Sequence, residues 1–163
     1  MLTKAETYRL TAAFSSLAVG CSVYLFDRPK SIYLFSAFPY LSPKHYGLFG
    51  TIGQWLPSAV HTYAFILLTV VSLGNSRRIV VNSSIFWLVA GWVFECGQYP
   101  AVATRLVKHI PGWFAGVPLL EDLTSYFRHG TFDPMDLFAT LVGALAAWAT
   151  CQLTINVERG HEA

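Results

Sequence analysis

The stretch from Trp55 to Phe94 reads WLPSAVHTYAFILLTVVSL, then GNSRR, then IVVNSSIFWLVAGWVF. No Asp, Glu, Lys or Arg stands between Trp55 and Leu73, and none between Ile79 and Phe94. An uncharged apolar run of about 17 to 25 residues can cross a bilayer as a helix. Two such runs joined by a short basic turn therefore read as a membrane-spanning hairpin. Two further runs have the same character, Leu10 to Phe26 and Leu137 to Ile155. The four together predict an all-α integral membrane bundle of four transmembrane helices.

Composition points the same way. The chain has 163 residues, of which 54% are hydrophobic and 12% charged, against about 25% charged in ordinary globular chains. Its mean hydropathy is +0.46. Trp55, Trp113, Tyr40, Tyr46 and Tyr99 stand at the ends of the runs, where an amphipathic ring suits the headgroup zone. A net charge of +2 gives no footprint for nucleic acid. Cys21, Cys96 and Cys151 have no metal-ligand spacing and read as packing residues. Lys4 and Arg9 before an apolar run look like the head of a signal peptide. The run is long and ends in no small-x-small cleavage site, so it is expected to stay as the first helix.

The predicted helices run from about Tyr8 to Phe26, Trp55 to Leu73, Ile79 to Tyr99 and Asp136 to Ile155, within one domain covering residues 1–163. The Asp27-Arg28-Pro29-Lys30 cluster ends the first. Pro57 is placed in the first turn of the second, where a missing N–H costs nothing, and Pro100 closes the third. Ile32, Leu34, Phe35 and Phe38 make a short apolar segment expected to lie along the interface. The insertion from 101 to 130 repeats apolar residues at helical spacing: Val102, Leu106 and Ile110, then Leu119, Leu120, Leu123 and Phe127. It predicts two short amphipathic helices broken at Pro111-Gly112 and Pro118. In the fourth run Ala139, Gly143, Ala147 and Cys151 recur every four residues, a ladder for close helix packing against helix 1 or helix 3, or against another chain. Arg77 and Arg78 in the short turn, with Lys4 and Arg9, place both termini in the cytoplasm by the positive-inside rule.

Polar groups within the runs collect at one level. His61 lies about 15 residues before the centre of the Arg77-Arg78 turn and Glu95 about 19 after it, so their depths differ by about 6 Å at 1.5 Å per residue. Gln98 shares the face of Glu95, and Asp133 and Asp136 enter the fourth helix from the same side. His61, Glu95, Gln98, Asp133 and Asp136 thus form a candidate polar pocket at one leaflet. Ionisable groups at membrane depth usually face a protein interior or a wet cavity. Each also has a plain structural reading. Asp136 caps the fourth helix, Glu95 takes a structural hydrogen bond, and His61 packs. No His-x-x-x-His or His-x-x-Glu spacing supports a metal. His45, His109, His129 and His161 read as loop or tail residues, no cofactor is implied, and no catalytic signature is present.

The segment Pro57-Ser58-Ala59-Val60-His61-Thr62-Tyr63-Ala64-Phe65 resembles the second-helix signature of VanZ-like membrane proteins. Phe94-Glu95-Cys96-Gly97-Gln98 resembles their Glu-x-x-Gln motif. Gly130-Thr131-Phe132-Asp133-Pro134-Met135-Asp136-Leu137, followed by Gly143, resembles their fourth-helix entrance. The resemblance implies a small four-helix bacterial membrane protein in the inner membrane, and its motif residues coincide with the polar set above. It attaches no general chemistry to that set. Three readings of function compete. The first is non-catalytic recognition or modulation of a membrane or envelope component, with membrane lipids as partners. The second is an accessory subunit of a respiratory or photosynthetic assembly, with other membrane subunits or a homo-oligomer as partners. The third is an intramembrane enzyme on a lipid-linked substrate.

Overall fold

Thr3 and Glu6 decide where the chain first becomes helical. Thr3 N–H donates to Glu6 Oε2 at 2.7 Å, and Glu6 N–H donates to Thr3 Oγ1 at 3.1 Å. This reciprocal box satisfies two helix-end donors and starts α1 at Lys4, so that it runs Lys4–Asp27 rather than from Tyr8. The computed structural model describes residues 2–27, 47–118 and 120–161. The expected interfacial segment with Ile32, Leu34, Phe35 and Phe38 lies outside them, as do Tyr40, Tyr46 and Leu119.

The end of α1 is tied to the start of the next helix. Asp27 accepts Leu48 N–H at 2.7 Å and Phe49 N–H at 2.8 Å. Gly47 and Gly50 adopt positive φ angles of 61° and 50° in the turn that follows, a region costly for other residues. Helix α2 is Ile52–Leu73. Pro57 is inside it, not in its first turn, because the helix begins before Trp55. The chain leaves through Gly74 (φ 112°), whose N–H bonds to the Val70 carbonyl. Ser76 then caps α3, Arg77–Gly97, by accepting Ile79 N–H.

Helix α3 stops two residues short of the expected Tyr99. Pro100 opens a new helix instead of closing the old one, as proline suits a first helical position. That helix, α4, is Pro100–Leu106, followed by 3-10 turns at Val107–His109 and Gly112–Phe114. Helix α5 is Leu123–His129 and α6 is Pro134–His161. The insertion thus holds two short α-helices, both shorter than their apolar periodicity suggested. Among the described residues every regular element is a helix.

Four helices are long and apolar enough to cross a membrane: α1, α2, α3 and the Pro134–Ile155 part of α6. Their outward faces carry Phe14, Ile85, Phe86, Val93 and Leu145, each more than half exposed. Water would penalise such a surface; hydrocarbon does not.

Helix α2 is the hub. It packs extensively on α1 and α6, and less on α3, which leans on α6, while α1 and α3 scarcely touch. Gly143 explains the closest crossing: a Cβ there would run into the Ala59 carbonyl of α2. Ala139, Ala147 and Cys151 are buried along the same ladder. At Gly143 the ladder meets α2, a neighbour the sequence did not single out, and at Cys151 it meets Arg9 of α1. Gly91 of α3 likewise makes room for Thr140 of α6. An apolar core of Ile66, Leu67, Val70, Val80, Ala144 and Ile155 fills the half of the bundle nearest the Arg77 turn.

At that end one charge is fully enclosed. Arg9 is 0% exposed. Its Nε and Nη2 donate to Thr154 Oγ1 at 2.8 and 2.6 Å, and Nη2 reaches the Cys151 carbonyl at 3.5 Å. The sequence reading placed Arg9 at the membrane surface as an orienting charge. In the fold it bridges α1 and α6 instead.

Candidate functional site

The site is built on one neutral-donor network around Glu95. Its carboxyl is buried, 8% exposed. Oε2 accepts Gln98 Nε2 at 3.1 Å, and Oε1 accepts the Asp133 backbone N–H at 2.6 Å. The Gln98 amide also donates to the Tyr126 hydroxyl at 2.9 Å. The end of α3, helix α5 and the start of α6 are thereby fastened together by one carboxylate and one amide. Buried polar groups need partners, and here they are neutral.

Asp133 and Asp136 divide the work at the head of α6. Asp133 Oδ1 accepts Met135 N–H at 2.9 Å, so Asp133 is the cap, with Pro134 after it. The expected capping role of Asp136 belongs to Asp133, one turn earlier. Asp136 instead accepts the Ser58 hydroxyl of α2 at 2.5 Å. A short bond to a carboxylate is a charge-assisted one. It locks α2 to α6 just above the Ala59–Gly143 crossing.

His61, Glu95 and Asp136 all line one cavity of about 530 Å³. Its floor on α2 is Ser58, His61, Thr62 and Phe65, and α3 contributes Trp87, Ala90, Gly91 and Phe94. Tyr24 of α1 closes one side, and Asp122, Leu123 and Tyr126 form the roof. Gln98 and Asp133 are outside the wall and hold Glu95 in it. His61 makes no hydrogen bond to a described residue. Its ring lies between Tyr24 and Phe65, with centroids at 6.2 and 6.0 Å, and the imidazole is among the groups facing the cavity. No Lys or Arg is in the described wall. Among the described residues, no three His, Cys, Asp or Glu side chains are grouped to hold a metal ion.

Sequence reasoning passed over Asp122 and Tyr126. They sit four residues apart at the start of α5, where they share a face, and the Tyr126 N–H bonds to the Asp122 carbonyl at 2.7 Å. That spacing was the available signal. It does not say that α5 folds back over Glu95. Asp122 Oδ2 is buried without a hydrogen-bond partner among the described residues. The Tyr126 ring is partly exposed, but its hydroxyl points inward onto Gln98. Burial pushes this phenol up to about 12, and the nearby Glu95 carboxylate adds to the effect.

What this arrangement does chemically is hold carboxylates in place beside a half-open, ring-lined space. Compared with known proteins, the chain matches no family model, no curated protein and no solved structure.

Proposed function

We propose that this chain is a VanZ-like, non-catalytic membrane protein that recognises a component of the membrane or envelope in the polar cavity at one end of its bundle. The observation that carries the reading is the convergence of His61, Glu95 and Asp136 on one cavity. These are residues from three different helices; hydrogen bonds hold Glu95 and Asp136, and His61 lies between two rings. Ionisable groups kept at this depth mark binding or transport sites more than packing. Glu95 and Asp136 are positioned by hydrogen bonds, which suits recognition, since a preorganised site loses less entropy on binding. In this reading the protein sits in a bacterial inner membrane with Lys4, Arg77 and Arg78 toward the cytoplasm. The cavity then opens at the outer leaflet.

The test is binding by the purified chain in a neutral detergent, followed by its melting temperature against a panel of envelope lipids and amphiphilic antibiotics. At least one class raises the melting temperature, and Asp136→Asn together with His61→Ala abolishes that rise while the unliganded protein still elutes as a single species. If no class raises it, and a stoichiometric membrane partner copurifies whether or not the cavity is altered, the recognition reading fails and the accessory-subunit reading replaces it.

A further inference from the structure

The chemistry of the cavity wall selects among amphiphiles. Three carboxylates border it, Glu95, Asp122 and Asp136, and no described cation does. Glu95 is held by an amide and a backbone N–H. Asp122 Oδ2, buried, has no described partner. Tyr24, Phe65, Trp87, Phe94 and Tyr126 add ring faces to the wall, beside the smaller Ser58, Thr62, Ala90, Gly91 and Thr140. Phe65 and Trp87 stand with centroids 4.8 Å apart, and Phe94 and Tyr126 at 6.0 Å. Carboxylates supply opposite charge, and ring faces attract cations, Trp most strongly. The three carboxylates disfavour an anion there. The combination points to a cation too large and too weakly hydrated for a close metal site.

The shape adds a second requirement. Tyr24 of α1 faces Trp87 and Phe94 of α3 across the cavity, and α1 and α3 scarcely pack. Among the described residues nothing closes the flank between these helices, where Phe94 of α3 and Phe65 of the intervening α2 are partly exposed. A ligand with a charged head and a hydrocarbon tail fits both parts at once.

Resting on the recognition reading above, we propose that the cavity binds the ammonium head of a membrane amphiphile, with its tail in the cleft between α1 and α3. Glu95 and Asp122 balance the charge, and Trp87 and Tyr126 contact the head. His61 accepts a hydrogen bond where the head carries an N–H.

The experiment uses the full chain in a neutral maltoside detergent and follows tryptophan fluorescence, with Trp87→Phe to assign the signal. Three probes share a twelve-carbon tail: dodecyltrimethylammonium, dodecyl sulfate and a dodecyl polyethylene glycol ether. Tetramethylammonium serves as the tail-free head. The expected result is saturable binding of dodecyltrimethylammonium alone, at least tenfold tighter than the other tailed probes. It is weakened about tenfold by Asp122→Asn, a change outside the hydrogen-bond network of Glu95. Tetramethylammonium binds at least tenfold more weakly, which separates a lipid from a free amine. Equal or tighter binding of the sulfate or the ether overturns the ammonium assignment and leaves recognition standing. Equal binding of tetramethylammonium overturns the amphiphile assignment. If no probe binds and no lipid stabilises the protein, both readings fall.

Discussion

The two ends of the bundle treat buried charge in opposite ways. Near the Arg77 turn, Arg9 is wrapped by α1 and α6 and bonded to Thr154, with packed apolar side chains beyond it. Near the long connection, Glu95 and Asp136 are also held by neighbouring groups, yet the space beside them is open. The first end uses a charge to fasten two helices. The second fastens helices around carboxylates that border a cavity. Arg9 is enclosed on all sides with Thr154 as its acceptor and Nη1 without a described partner, whereas a cavity lies beside Glu95 and Asp136.

The largest effect is expected where the two halves are pinned together. Gly143→Leu drives a side chain into the Ala59 carbonyl, a backbone obstacle that cannot rotate away. Overpacking costs about 1–3 kcal/mol and occasionally more, and here the upper end or beyond is expected. Size-exclusion chromatography should show aggregated material. Gly112→Ala is the control: no atom lies within 4 Å of the added group, and the melting temperature should not move.

The closed end is tested next. Thr154→Val strips Arg9 of its main acceptor inside the bundle. Leaving a buried polar group unpaired costs about 1–3 kcal/mol, more for a charged one. Thr154→Val combined with Arg9→Met should recover most of that loss in denaturant titrations, because an apolar pair of similar volume needs no partner. No recovery would mean that the guanidinium does more than bridge two helices.

At the open end, the two aspartates separate. Asp133→Ala removes the cap of α6 and should cost about 1 kcal/mol of stability. Asp136→Asn keeps an oxygen for the Ser58 hydroxyl, so stability should change less while ligand-dependent stabilisation disappears. Equal effects of the two changes on stability would return Asp136 to a capping role.

The smallest effect is spectroscopic. The folded state holds the Tyr126 proton more tightly than the unfolded chain does. Its contribution is therefore fully present below pH 10 and is lost as pH rises to about 12. Absorbance titration of the phenols should show one of the eight tyrosines ionising near pH 12, and Tyr126→Phe should remove that step. Its persistence in the variant would assign the step to another ring.

Much of this contrast was legible beforehand. The four long apolar helices follow from runs without charge, since the cost of burying a charge in hydrocarbon leaves few alternatives. That His61 and Glu95 share a level follows from helix rise counted either side of one turn. The Thr3–Glu6 box was present in the sequence and would have set the start of α1. Other features were out of reach. Small residues at 139, 143 and 147 announce close packing but not the neighbour, because three helices offer equally apolar faces. Arg9 looked like a surface charge, since its partner Thr154 lies 145 residues away.

By itself, the sequence determined which segments seek hydrocarbon and which polar groups share a depth, because transfer energy and helix rise are local properties of the chain. Only the tertiary structure decided that α2 is the hub, that Asp133 caps while Asp136 binds Ser58, and that Asp122 and Tyr126 fold over Glu95. Those choices depend on which surfaces meet, and contact is a property of the whole packed molecule.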